Sequence, residues 1–316
     1  MMAVNRERVT LLDWRETPPA ECRNGIIAIG NFDGVHRGHA ALVKLARSLG
    51  SPVVILSFDP HPLQLLAPEK FLPPLMTPEA RAVALLEVGA DAVVFLRTDR
   101  EMLSLAPREF FQRILIEQFG ARGIVEGFNF RFGKDRTGTI DLLHELSNLA
   151  GIPIRVVEPF ELGGSVVSSS KVRDALTSGD VRLAQRLMAR SYELVGRVIE
   201  GARRGRTIGF PTANLGGVKT LIPAEGVYAV RAFVNDQEWP GAANIGSNPT
   251  FGEHARKIEI YLIGFTGDLY GTELRVEFIE RLRETRKFNG PDELIKQMKN
   301  DVARAAELAG EQHAGG

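Results

Sequence analysis

Short apolar runs alternate with amphipathic stretches through the first half of the chain. The apolar runs predict strands at residues 26–29, 53–58, 92–96, 123–125 and 154–158. The amphipathic stretches predict helices at residues 38–49, 78–88, 107–119 and 139–150. Strands that alternate with helices favour a parallel sheet covered by helices. Ligands of such sheets bind beyond the carboxyl ends of the strands.

The pattern changes after Tyr192, where β-type runs are separated by glycine-rich turns. Two helices, at 169–176 and 180–189, precede this change. Strands are predicted at 194–199, 226–234, 241–245, 257–263 and 273–279, and an amphipathic helix at 291–308. Strands without helices between them favour a small β-barrel or sandwich. We therefore predict two domains, residues 1–187 and 188–316.

Charge and cysteine content narrow the function classes. The 39 basic side chains balance 39 acidic ones, so nothing in the overall charge favours nucleic acid or a membrane surface as a partner. A single cysteine, Cys22, excludes an intramolecular disulfide and a cysteine-cluster zinc site. Neither a signal peptide nor a membrane-spanning run is evident. We expect a cytoplasmic protein that is a monomer or a weak homo-oligomer.

A glycine-rich turn joins the first predicted strand to the first predicted helix. Residues 30–39 read Gly-Asn-Phe-Asp-Gly-Val-His-Arg-Gly-His. A helix N-terminus carries partial positive charge and free N–H groups that favour phosphate. His36 and His39 add donors, and Gly38 lets a phosphate approach the backbone. This order favours a nucleotide triphosphate site, and the alternative is a turn with structural histidines.

A second candidate phosphate site lies at residues 167–173, which read Val-Ser-Ser-Ser-Lys-Val-Arg. Serines there precede a basic amphipathic helix, so its first turn offers N–H groups and positive charge. The alternative is a simple N-cap with a solvated basic face.

The first half resembles a known family. The segments 30–39, 58–62 (Phe-Asp-Pro-His-Pro), 127–133 (Gly-Phe-Asn-Phe-Arg-Phe-Gly) and 168–176 together resemble the HxGH nucleotidyltransferases. More narrowly, they resemble the adenylyltransferase domain of bacterial bifunctional riboflavin kinase/FAD synthetases. The resemblance implies a Rossmann-like domain in which the phosphate of FMN displaces pyrophosphate from ATP, with Mg²⁺ bridging the ATP phosphates.

The same resemblance implies the residues of this first site. The implied catalytic residues are His36, His39 and Arg173. The implied ATP-binding residues are Gly30, Phe32, Gly38, Ser169 and Ser170. The implied flavin-binding residues are Phe58, His61 and Asn129. Asp33 either takes part or only fixes the turn. His61, between two prolines, is alternatively a rigid spacer.

The second half has a glycine-rich segment of its own at residues 205–215, which reads Gly-Arg-Thr-Ile-Gly-Phe-Pro-Thr-Ala-Asn-Leu. Its backbone N–H groups can wrap phosphates. Thr212 and Asn214 offer oxygen donors of the kind that Mg²⁺ accepts. The alternative is an ordinary glycine-rich turn of a barrel. The segment resembles the riboflavin kinase signature, as do residues 226–228, 244–246, 249–251 and 269–271.

This second resemblance implies a small β-barrel riboflavin kinase domain with a C-terminal helix. It implies that Glu259 is the base for the ribityl 5′-hydroxyl. The implied ATP-binding residues are Gly205, Arg206, Gly209, Thr212 and Asn214, of which Thr212 and Asn214 also bind Mg²⁺. The implied flavin-binding residues are Arg283 and Phe288. Glu259 is alternatively a solvent-facing strand carboxylate, and Phe288 a core anchor. Tyr261, Thr285 and Lys171 depart from the residues that are usual in the family.

The sequence therefore predicts a bifunctional enzyme. Riboflavin and ATP give FMN, and FMN and ATP give FAD. Two alternatives stay open: an enzyme with only one live site, and a flavin- or nucleotide-binding regulator without catalysis.

Overall fold

The computed structural model describes residues 8–201, 205, 209–248 and 253–311. By packing, the chain divides into two compact units, Met1–Ser169 and Ser170–Gly316. This division falls earlier than the boundary predicted between residues 187 and 188, which stays a prediction.

In the described residues of the first unit, we number eight strands and six α-helices in chain order. The strands are β1 (Val9–Asp13), β2 (Ile26–Ile29), β3 (Val53–Asp59), β4 (Ala92–Arg97), β5 (Gly123–Gly127), β6 (Ile154–Val157), β7 (Glu161–Leu162) and β8 (Ser165–Val166). The helices are α1 (Arg37–Leu49), α2 (Pro62–Leu66), α3 (Pro78–Glu87), α4 (Arg100–Ser104), α5 (Pro107–Phe110) and α6 (Ile140–Ala150). A π-helix, Phe111–Gln118, continues α5.

Six strands form one parallel sheet in the order β1-β4-β3-β2-β5-β6, which confirms the predicted parallel sheet. The chain moves from β2 to β3 and β4 on one side, and to β5 and β6 on the other. The direction of winding thus reverses between β2 and β5, where the pairing covers only Ile26↔Gly123 and Ile27↔Ile124. Open α/β sheets bind ligands in the crevice at this point.

Strand β1 was not predicted. It is an edge strand that pairs only with β4, and its Leu11 is 54% exposed. The central strands β2 and β3 are buried along nearly their whole length, because helices cover a parallel sheet on both faces. Their unbroken apolar runs made them visible in the sequence, whereas β1 offers only a short apolar patch in a polar segment.

The second unit contains the barrel. Helix α7 (Ser169–Ser178) begins at the last residue of the first unit and is followed by α8 (Val181–Met188). The strands are β9 (Tyr192–Ile199), β10 (Ala213–Gly216), β11 (Gly226–Val234), β12 (Gln237–Asn248), β13 (Glu253–Leu262) and β14 (Glu273–Arg283), and the last helix is α9 (Pro291–Glu311).

These strands close into an antiparallel barrel in the order β10-β13-β12-β11-β14-β9. Helix α9 covers one side of it and packs Ala305 and Leu308 against Ala229 and Ile279. Both the predicted small barrel and the predicted C-terminal helix are therefore confirmed.

Candidate active sites

The turn that follows β2 is held in a strained conformation. Phe32 and Val35 have positive φ angles of 49° and 37°, which L side chains rarely adopt, and Gly34 lies between them at 82°. Such strain persists only where the surroundings enforce it. Asp33 supplies part of that constraint, because its Oδ1 accepts the backbone N–H groups of Leu75 at 2.8 Å and Met76 at 3.3 Å.

His36 and His39 are brought together by this turn. His36 is the N-cap residue of α1, and its ring stacks on that of His39 with centroids 3.7 Å apart. The ring of Phe32 packs edge-on against His39 at 5.1 Å. Both Nδ1 atoms are buried and have no hydrogen-bond partner within the described part of the chain. Because buried polar atoms are normally hydrogen-bonded, these two nitrogens mark a place for a ligand.

Both imidazoles are neutral near pH 7. Burial lowers the pKa of His36 to about 4. The pKa of His39 lies well below its ordinary value because of burial first, and then because of the neighbouring His36 and Arg81. A neutral imidazole carries one donor and one acceptor, so each ring can bind a phosphate oxygen through a single N–H.

The glycines and Ser169 complete this turn. Gly30 donates its N–H to the carbonyl of Leu56 at 3.0 Å. A Cβ at Gly38 would lie 3.2 Å from the ring of His36, so a side chain there would crowd the histidine pair. The hydroxyl of Ser169 donates to the carbonyl of Asp33 at 2.8 Å. Asp33 and Ser169 thus both fix the turn.

The other residues predicted for this site lie on separate elements. Ser170 and Arg173 are on α7, in the second unit. Asn129 is exposed in the turn after β5. Phe58 is near the end of β3 and packs partly buried against the core. His61 caps α2, because its Nδ1 accepts the N–H of Leu63 at 3.1 Å.

Two buried ionisable side chains of this unit were not predicted from the sequence. Glu126 is 2% exposed on β5, where its Oε1 accepts the N–H of Ile29 at 2.6 Å. Burial raises its pKa well above the ordinary value. Arg81 is 5% exposed on α3, and its Nη1 donates to the carbonyl of Asn31 at 2.5 Å. Both resemble surface residues in the sequence; only the carboxylate inside an otherwise apolar strand could have drawn attention to Glu126.

The second unit aligns three polar side chains across adjacent strands. Glu259 on β13 lies opposite Asn214 on β10 and opposite Asn244 on β12. Directly opposed residues share one face of a sheet, so the three form a polar row. Ile258 and Ile260 are buried on the other face. The Nδ2 of Asn244 lies 3.5 Å from Oε2 of Glu259 and orients that carboxylate.

Backbone approaches Asn214 closely from the preceding segment. A Cβ at Gly201 would overlap the amide of Asn214, and one at Gly205 would overlap the carbonyl oxygen of Phe210. Gly209 has a φ of 85°, and Thr212 is partly exposed just before β10.

The donor chemistry of this row fits a magnesium nucleotide. Among the described residues, no group of three or more His, Cys, Asp or Glu side chains is placed to hold a metal ion. Mg²⁺ keeps several waters and binds through phosphates with few protein ligands. A hydroxyl from Thr212 and an amide oxygen from Asn214 are therefore suitable protein ligands. Arg206 and residues 249–251 lie outside the described residues.

Arg283 and Phe288 lie where α9 meets the barrel. The Nε and Nη2 of Arg283 bind Oδ2 of Asp301 at 3.0 and 2.8 Å, which ties β14 to α9. Phe288 is buried, and its ring lies 5.5 Å from the guanidinium carbon of Arg283. The flavin role and the core-anchor alternative for Phe288 both stay predictions. Tyr261 packs edge-on against Phe210 at 5.4 Å.

Comparison with known proteins covers both units. A sequence-family model for FAD synthetase matches residues 19–171, and one for riboflavin kinase matches residues 188–309. A bifunctional riboflavin kinase/FMN adenylyltransferase of Pseudomonas fluorescens is 38% identical, with 92% of this chain and 94% of that one covered. The protein of the same name from Bacillus subtilis is 36% identical, with coverage of 90% and 92%.

A solved structure shares the whole architecture. It is described as a macrolide-efflux protein from Streptococcus pneumoniae and superposes with a TM-score of 0.83 at 29% identity, covering 95% of this chain and 99% of that one. In the described part of the present chain, no helix is both long and apolar enough to cross a membrane.

Proposed function

Since the chain belongs to the bifunctional riboflavin kinase/FMN adenylyltransferase family, we propose that its two units divide the two reactions between them. The protein is a transferase of flavin cofactor biosynthesis. One ATP phosphorylates riboflavin to FMN, and a second ATP adenylylates FMN to FAD. The observation that carries the division is that each compact unit has its own polar site, the stacked histidines in one and the Asn214–Glu259–Asn244 row in the other.

In the second unit, Glu259 is the proposed base. Its carboxylate accepts the proton of the ribityl 5′-hydroxyl as that oxygen attacks the γ-phosphorus of ATP. The Nδ2 of Asn244, 3.5 Å from Oε2 of Glu259, supports this role by orienting the carboxylate. Arg283 and Phe288 are proposed to line the flavin side through the segment between β14 and α9.

Thr212 and Asn214 are proposed to hold Mg²⁺ together with the phosphates of ATP. Bound there, the ion would neutralise charge that develops on the phosphate oxygens. Thr212 lies just before β10, and Asn214 is its second residue, opposite Glu259. This position supports a site in which the ATP phosphates lie beside the base. Gly205, Arg206 and Gly209 are proposed to wrap the phosphates through their backbone N–H groups.

In the first unit, His36 and His39 are proposed to bind the ATP phosphates. Because both rings are neutral, they stabilise the transition state through N–H donors that are already oriented. Phe32 and Gly38 hold this geometry, and Gly30 lets the backbone turn toward the nucleotide. Ser169 is proposed to bind the departing pyrophosphate with Ser170 and Arg173, which are on α7 and belong to the second unit. Phe58, His61 and Asn129 are proposed to bind the flavin.

Net charge and cysteine content bear on where the enzyme works and with which partners. We propose that it works in the cytoplasm as a monomer or weak homo-oligomer, without nucleic acid or membrane as a partner. The zero net charge and the single buried cysteine support this proposal.

Two complementary variants test the division of labour. Glu259→Gln preserves the volume of the side chain but removes the base, and we expect FMN formation to fall by about 10²–10⁴-fold. FMN-to-FAD conversion stays normal in that variant. His36→Ala with His39→Ala gives the reverse pattern. Products are separated by chromatography after incubation with ATP, Mg²⁺ and either riboflavin or FMN.

Glu273→Gln, at an exposed carboxylate that begins β14, is the matched control for Glu259. Near-normal kinase turnover of Glu259→Gln would show that Glu259 is not the base. Normal FAD synthesis by the folded histidine variant would remove the histidines from the site. If the unaltered chain bound flavin but formed neither FMN nor FAD, the regulator alternative would be favoured. If it formed FMN but no FAD, the first unit would be inactive.

A further inference from the structure

A buried guanidinium lies beside the histidine turn. Arg81 projects from α3, and its Nη1 donates to the carbonyl of Asn31 at 2.5 Å. The hydroxyl of Ser57 approaches the same carbonyl at 3.4 Å. Asn31 is the residue before Phe32, where the positive φ angles begin. Arg81 therefore holds the strained turn at its first peptide.

The guanidinium is desolvated and remains charged. It is 5% exposed, its carbon lies 5.1 Å from the ring centroid of Phe95, and its Nε is buried without a hydrogen-bond partner in the described part of the chain. Burial lowers its pKa, while the carboxylates of Asp33, Asp59 and Glu79 raise it. Arginine stays protonated in proteins despite such shifts, so the turn contains a buried cation.

This cation complements the histidine pair. The neutral rings of His36 and His39 offer oriented N–H donors but no net charge. The transferring phosphates of ATP are polyanionic, and a fixed positive charge in a water-poor site stabilises them far more than it would in water. Arg81 binds the carbonyl of Asn31, and the next residue, Phe32, packs its ring against His39, so the charge lies on the same turn as the histidine pair.

We infer that Arg81 is a positioning residue of the adenylyltransferase site: it fixes the Asn31 carbonyl and thereby the histidine turn, and it directs a buried positive charge toward the phosphates of ATP. The inference rests on the proposed role of the histidines. Arg81 acts through the turn and through its field, and contact with ATP is not required. If Arg81 only stabilised the fold, its replacement would lower stability but would not change how the folded enzyme uses ATP.

The test compares Arg81→Met with Arg81→Lys in the full chain. Methionine keeps most of the apolar part of the side chain but lacks the charge and the planar guanidinium donors. We expect kcat/KM for FAD synthesis to fall by about 100-fold, with a higher KM for ATP. Lysine keeps the charge but lacks the planar guanidinium, so about one tenth of the FAD synthesis activity should remain. FMN formation by the second unit stays unchanged in both variants.

A proton NMR titration of the histidine rings supplies a second readout. In Arg81→Met, the pKa of His39 should rise because a neighbouring cation is gone, although burial still holds it below its ordinary value, and in Arg81→Lys it should not rise. Arg113→Met is the matched control, because that guanidinium also lies over an aromatic ring, 4.9 Å from Trp14, but it is half exposed and away from the turn.

The outcomes separate the possibilities. FAD synthesis within about threefold of normal in folded Arg81→Met would overturn the inference. Equal losses in both variants, with an unchanged His39 titration and a lowered melting temperature, would also overturn it by reducing Arg81 to a stability role. If the folded His36→Ala/His39→Ala variant still made FAD, the proposed site itself would fall, and the inference with it.

Discussion

At the scale of single residues, Glu126 shows how the sheet opens its ligand crevice. The ladder between β2 and β5 stops at Ile27↔Ile124, so the N–H of Ile29 has no partner on β5. The carboxyl of Glu126 takes that N–H instead. An apolar side chain there would leave a buried donor unpaired, at a cost of about 1–3 kcal/mol. A single side chain thus allows the two strands to part without a broken hydrogen bond.

Glu126→Gln should stabilise the first unit relative to the parent, by an amount that grows as the pH rises. The folded pKa of Glu126 is raised above the ordinary value of 4.5, so the native unit keeps a proton that the unfolded chain releases. Native stability therefore falls as the pH rises above about 4.5, and glutamine removes this loss. The melting temperature of the variant minus that of the parent should be smallest near pH 4.5 and grow toward pH 8.

The fluorescence of Trp14 reports this transition when Trp239, the other tryptophan, is replaced by Phe. Glu69→Gln, at an exposed carboxylate of the same unit, is the control. A temperature difference that is constant across this pH range would contradict the assignment of a protonated carboxyl to Glu126.

At the scale of elements, the close approach of Gly201 to β10 fixes the position of Asn214 in the proposed kinase site. Asn214 is paired with Ile199 at the end of β9, and the chain then passes Gly201 next to the amide of Asn214. No side chain fits between them. The absence of a Cβ at Gly201 is therefore a condition for the position of Asn214 beside Glu259.

Gly201→Ala should impair the kinase and spare the adenylyltransferase. The added methyl group displaces Asn214 from the polar row, and a misplacement of about 1 Å can cost about 100-fold in rate. We expect a higher KM for Mg-ATP and a lower kcat in FMN formation, with normal FAD formation from FMN. Gly290→Ala is the control, since its Cβ would meet no described atom within 4 Å. Equal kinase activity in the two variants would show that Asn214 tolerates displacement.

Most of the fold was predictable, whereas the geometry of the sites was only partly so. Strands β2, β3 and β4 are unbroken apolar runs, amphipathic spacing predicts α1 to within one residue, and a proline predicts the first residue of α9. Strand β10 escaped notice because Ala213–Gly216 is short, contains an asparagine and ends in glycine. The row of Asn214, Glu259 and Asn244 depends on strand register between distant segments, which periodicity alone does not encode.

At the scale of the whole molecule, the two units have separate cores and share FMN, the product of one and the substrate of the other. Two half-active chains should therefore complement each other. A mixture of Glu259→Gln with the His36→Ala/His39→Ala variant should convert riboflavin to FAD, because FMN released by one chain reaches the first unit of the other.

Each variant alone provides the control for this mixture. The histidine variant alone should stop at FMN, and Glu259→Gln alone should leave riboflavin nearly unconverted. FMN that accumulates in the mixture without any FAD, while added FMN is converted by the Glu259→Gln chain, would contradict free exchange.

The polar row of the barrel also limits how the length of this chain can change over evolution. Strand side chains alternate between faces, so one residue inserted into β13 before Ile258 would turn the carboxylate of Glu259 inward and bring the buried side chain of Ile258 to the outer face. Single-residue insertions should therefore be purged from β10, β12 and β13 and collect in turns. The turn at Asn235 and Asp236, which joins β11 to β12 with two positive φ angles, is one place where the lineage of this protein can vary in length and keep its kinase.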